Sequence, residues 1–193
     1  MNKTVLRTLL RFGALLALPA IAAAHPGHPG HESFAAGFAH PLSGVDHLLA
    51  MLAVGLWAAQ LGGRARWAVP AAFVVLMLAG GALGRAGVWL PQADAVIAAS
   101  VLVLGLLVAA LVRLPTVAAM AVVGAFALFH GYAHGVEMPL SAQALPYVAG
   151  FAAATAALHA VGLGLGVLAA RLQPRLLRLA GAATALAGAL LLA

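Results

Sequence analysis

The stretch "FHGYAHGVE", from Phe129 to Glu137, sets two histidines four residues apart and a carboxylate three residues beyond the second. On a helix, His130 and His134 share one face and Glu137 extends that face by a further turn. Two imidazoles at this spacing hold one metal ion between them, and a carboxylate beside them offsets its charge. A second stretch, "HPLSGVDH", from His40 to His47, joins Asp46 to His47 and places His40 seven positions earlier. Seven residues along a helix return to about the same face, so His40 and His47 read as neighbours. Structural roles compete with these readings. Ser43 and Asp46 have the spacing of a capping box, with Asp46 at the positive end of the helix that follows. A pair of buried, hydrogen-bonded histidines is the competing reading of His130 and His134, and the aligned carboxylate within an apolar span weighs against it.

The chain has four acidic residues, and three of them, Glu32, Asp46 and Glu137, lie within a few positions of a histidine. Asp94 stands alone at a loop edge and reads as a cap for its helix. There is no cysteine, which excludes disulfides and thiolate metal sites, so a bound metal is held by nitrogen and oxygen. Neutral imidazoles with carboxylates suit Ni²⁺, Co²⁺ or Zn²⁺ and fit Cu(I) or Ca²⁺ poorly. The affinity order of these ions favours Cu²⁺ or Zn²⁺ over nickel, so ligand type alone does not select the ion.

The elements that must position these residues are apolar. Of 193 residues, 65% are hydrophobic and 7% charged, with a mean hydropathy of +1.09, the balance of an integral membrane protein. The net charge of +6 comes almost wholly from arginines scattered singly between apolar runs, which argues against a nucleic-acid partner. Residues 1–24 have the parts of a cleavable signal peptide: Lys3, Arg7 and Arg11, an apolar stretch, then Ala22-Ala23-Ala24. Residues 25–32 form a His-rich external segment, "HPGHPGHE", too rich in Pro and Gly for a helix. His25, His28 and His31 suit weak metal capture there, His25 through its free amine and imidazole, because Pro26 lacks the amide a second-residue chelate needs.

Residues 33–193 read as a six-helix transmembrane transport domain, and the fold class as an all-α polytopic membrane protein. The expected spans are 33–61, 67–83, 93–112, 116–137, 146–170 and 175–193, the first broken or kinked at Pro41. Continuous Ala, Leu and Gly-rich runs without period-two alternation favour helices over a barrel. Glycines such as Gly80, Gly81, Gly84, Gly162, Gly164 and Gly166 read as helix-packing positions. With the mature N-terminus outside, Arg64, Arg66, Arg113, Arg171, Arg175 and Arg178 fall on the cytoplasmic side and only Arg85 outside, in keeping with the positive-inside bias. Both motifs then lie in the outer half of the membrane and read as one shared site. His159, midway along the fifth span, is a third donor, a relay further in, or a histidine bonded to a neighbouring helix.

The two motifs resemble the signatures of the HupE/UreJ family of bacterial nickel permeases, and the similarity runs from the leader through the six spans. The resemblance implies uptake of Ni²⁺, or Co²⁺ in some relatives, across the bacterial inner membrane, with the mature N-terminus periplasmic. It implies His40, Asp46, His47, His130, His134 and Glu137 as the metal-handling residues, no permanently bound cofactor, and supply of hydrogenase or urease. Handover to cytoplasmic nickel chaperones would follow. Two other classes use the same residue types: an intramembrane zinc hydrolase, which needs an open coordination position, and a bis-histidine haem protein. No nucleotide-binding motif is present, which leaves facilitated and ion-coupled transport open.

Overall fold

The computed structural model describes residues 33–138 and 144–193. The expected leader at 1–24 and the expected external segment at 25–32, with His25, His28 and His31, lie outside the described residues. Among the described residues the chain is all-helical: α1 Phe34–Ser43, α2 Val45–Leu61, α3 Ala65–Arg85, α4 Ala93–Ala109, α5 Thr116–Glu137, α6 Ala144–Leu172 and α7 Pro174–Leu191.

α3, α5 and α6 are each long and apolar enough to cross a membrane, and α1 with α2 makes a fourth span if that bent pair is counted as one. The other two expected spans fall short for local reasons. α4 is apolar but stops at Ala109, where the chain leaves the helix and Leu111 takes φ 54°. α7 opens on Pro174, Arg175 and Arg178, which dilute its apolar run. The surface is that of a protein solvated by lipid: Val75, Leu106, Val117, Leu179 and Leu186 are exposed, whereas His47, Ser100, His130, His134, Thr155 and His159 are buried. Together with its helices long enough to span, this inversion makes the chain an integral membrane protein.

The first apolar segment is broken, as expected, but not at Pro41. Pro41 lies inside α1, and the direction changes by 88° at Gly44, whose ψ of 120° is extended. Ser43 contributes to the stop by donating its hydroxyl to the carbonyl of His40 at 2.6 Å, in competition with backbone pairing. The capping box expected from Ser43 and Asp46 is therefore absent. Instead Asp46 Oδ1 accepts from the amide of His47 at 2.7 Å, within the first turn of α2. Ser33 does cap α1, accepting from the amide of Ala36 at 3.1 Å. Asp94 lies in the first turn of α4 but makes no cap; the N-cap position is Gln92, in the left-handed region at φ 62°.

Packing relies on small residues. Gly80 and Gly84 of α3 lie on the backbone of Leu128 and Tyr132 of α5, so the two helices run parallel, and a Cβ at Gly131 would collide with the Met77 carbonyl. α2 lies along α6 in the same sense through Gly55, Gly162 and Gly166. α4 meets α7 antiparallel, Gly105 on Ala185 and Gly188 on Leu102. Gly164, by contrast, faces open space and has no packing role. Trp57 and Gln60, near the end of α2, both donate to the carbonyl of Val112, at 3.0 and 2.9 Å, which ties that end to the chain just past α4. α2, α4 and α6 thus start at one end of the bundle, where α3 and α5 finish. The core between them holds Met51, Trp57, Phe73, Met77, Leu104 and Val123.

Candidate metal centre

The 88° corner at Gly44 delivers two separate helix ends to the finish of α5. The face-sharing expected of His40 and His47 on one continuous helix does not apply, because they stand on α1 and α2 on either side of the break. They nevertheless converge, each on His134. His40 Nε2 lies 2.9 Å from His134 Nδ1, a hydrogen bond in which one ring donates to the other. Glu137 Oε2 lies 3.8 Å from the former nitrogen and 3.6 Å from the latter. Among the described residues these three, His40, His134 and Glu137, offer ligand atoms all within 4.8 Å of one another. His40 is half-buried, His134 buried and Glu137 exposed, so the group faces outward at the end of the bundle.

His47 and His130 form a second tier. The ring of His47 stands 4.4 Å from that of His134 and 4.7 Å from that of His130, centre to centre. Asp46 does not join the outer group; it holds His47. The carboxylate accepts from His47 Nδ1 at 2.8 Å as well as from its amide, fixing both the ring's orientation and the position of its proton. Gly44 is what admits this arrangement, since a Cβ there would come within 2.8 Å of Asp46 Oδ1 and 3.2 Å of His47 Nδ1. His130 is fully buried and its Nε2 meets Ser100 Oγ of α4 at 2.9 Å. The remaining ring nitrogens, His47 Nε2, His130 Nδ1 and His134 Nε2, are buried without a hydrogen-bond partner. Burying such an atom costs about 1–3 kcal/mol when nothing binds it.

His159 belongs to neither tier. It lies on α6 two turns beyond Phe151, which packs on His134 at 4.4 Å, and so about 12 Å deeper along the helix. Both of its nitrogens are buried and unpartnered, which removes the reading of a histidine bonded to a neighbouring helix. Its neighbour is Phe73 of α3, edge-on at 5.0 Å, and the same ring lies 5.6 Å from His130. A cavity of about 480 Å³ between α3, α5 and α6, lined by Met77, Gly81, Tyr147 and Phe151 among others, reaches His134 from the side.

The sequence motifs omit four contributors: Ser100, Phe73, Tyr147 and Phe151. Ser100 had a signal, being the one hydroxyl in the apolar run of α4. The aromatic residues had none, because an apolar ring on an apolar helix is indistinguishable from core.

Taken together, the bundle defines a class: an all-helical integral membrane protein that gathers imidazoles and carboxylates from separate helices at one end. The chain belongs to the HupE/UreJ family, whose description, HupE / UreJ protein, matches residues 13–191. Protein HupE of Rhizobium leguminosarum bv. viciae is 53% identical to it over 180 residues, 93% of this chain and 94% of that one. No solved structure matches it significantly.

Proposed function

We propose that this protein is a permease that carries a divalent transition-metal ion, Ni²⁺ before Co²⁺, into the cell for hydrogenase or urease maturation, and is not an enzyme. The observation that carries this reading is the meeting of His40 with His134 and Glu137, residues from two motifs 94 positions apart that share no other reason to converge. Their spacing suits ligation. The two nitrogens share a hydrogen bond at 2.9 Å, and an ion that displaced the proton between them would find both within reach.

In this reading the outer group receives the ion, with Glu137 offsetting its charge. The bare nitrogens of His134, His47 and His130 take it inward, and His159 is the relay below them. His25, His28 and His31 gather the ion outside. The alternating directions of successive helices support six spans, with α1 and α2 as the first, and with the mature N-terminus external the site is periplasmic in this reading. The hydrolase and haem readings gain nothing from the site: axial imidazoles stand on opposite faces of a haem, whereas these two rings touch.

Purified protein in liposomes, offered radioactive nickel, cobalt or zinc with and without a proton gradient, tests this directly. Saturable nickel entry that falls as the outside is acidified, because protons compete with the ion for the imidazole nitrogens, is the expected result. Entry no faster than into protein-free liposomes would sink the proposal.

A further inference from the structure

Resting on the reading of His130 as a station for the ion, we propose that Ser100 is a positioning residue that sets the tautomer of His130 and keeps its Nδ1 a bare, metal-ready lone pair. Two oxygens, Ser100 Oγ and the carbonyl of Ile97, stand 2.6 Å apart within α4. Oxygens that close need a proton between them, and the carbonyl has none to give, so the single hydroxyl proton of Ser100 is committed there. Toward His130 Nε2, 2.9 Å away, the hydroxyl then has only lone pairs to offer. The imidazole must be the donor, with its proton on Nε2 and none on Nδ1. Ser100 and His130 are both 0% exposed, so no solvent competes for either group.

The product of this relay is an unpartnered buried nitrogen, Nδ1, on the ring whose neighbour His47 presents its own unpartnered Nε2. The two rings reach that state by opposite routes. At His47 a carboxylate accepts a hydrogen bond from Nδ1–H, and at His130 the serine oxygen, its own proton donated to a helix carbonyl, accepts one from Nε2–H. The neutral relay orients His130, which is fully buried, without adding a charge beside it, where a buried carboxylate would be costly.

Nitrogen-15 magnetic resonance of histidine-labelled protein in lipid reads the tautomer, with the His130 signal identified by its loss in His130→Asn. The intact protein should show a protonated Nε2 and a bare Nδ1. Ser100→Ala should mix the tautomers and weaken half-saturation by nickel chloride roughly 10–100-fold, the usual effect of removing a group that orients a metal ligand. Ser100→Thr, which keeps a hydroxyl able to bond back along the helix, should restore both. An unchanged His130 signal in Ser100→Ala overturns the proposal. A mixed signal with unchanged nickel affinity upholds the control of the tautomer by Ser100 and counts against His130 as a ligand, so the two failures are told apart.

Discussion

The outer end of the bundle and the middle of α6 both bury histidine, and they do so in opposite ways. At the outer end His40, His47, His130 and His134 each have one ring nitrogen engaged, by another imidazole, by Asp46 or by Ser100. Midway along α6, His159 has neither nitrogen engaged and is held by packing, chiefly against Phe73. Rings oriented by hydrogen bonds are set in advance for a ligand, as metal sites require of the groups behind their histidines. A ring with two unpartnered nitrogens is held by packing alone, and costs about 1–3 kcal/mol for each bare atom. On the proposed function the first region selects and holds the ion, and the second lets it pass.

Four substitutions press on that contrast. His134→Ala removes the one residue that, among the described residues, touches His40, Glu137 and His47 together. Nickel entry into liposomes should fall more than about 100-fold, beyond the range for lost supporting groups; retention of a tenth of the rate would dissolve the outer region as a site. Asp46→Asn keeps the shape of the side chain but weakens its hold on the His47 ring. Half-saturation for nickel should rise roughly 10–100-fold at unchanged protein level, measured by the concentration dependence of entry.

His159→Leu should leave half-saturation unchanged and lower the maximal rate. By removing two unsatisfied nitrogens it should also raise stability by about 1 kcal/mol or more, read from thermal unfolding in detergent. A shift in half-saturation instead would place His159 among the selecting ligands and erase the contrast. Ser43→Ala deletes one exposed hydrogen bond to the His40 carbonyl. It should cost about 0.5–1.5 kcal/mol or less and leave transport intact; a transport defect would make the exact pose of the α1 end part of the selecting region.

Much of this was legible in the sequence because it is local. The apolar runs locate the helices, and the four-residue spacing of His130 and His134 places both on one buried face of α5. What escaped depends on tertiary contact or on competition within one turn. Pro41 drew the break to itself, yet it lies inside α1, two residues before the helix ends, and the extended conformation of Gly44 decides the corner. Asp46 and Glu137 looked alike as acids beside histidines. Only the fold separates them, one supporting a ring and the other facing outward with two nitrogens in reach. Ser100 required knowledge that α4 passes behind α5.

The contact between His40 and His134 also has a consequence in time. The 94 positions from one to the other take roughly 5–20 s to synthesise at 5–20 residues per second. For that interval the first helix pair carries an aspartate and two histidines into the membrane with none of their later partners yet made. Asp46 and His47, bonded to each other within one turn, are the part of the site that needs no waiting.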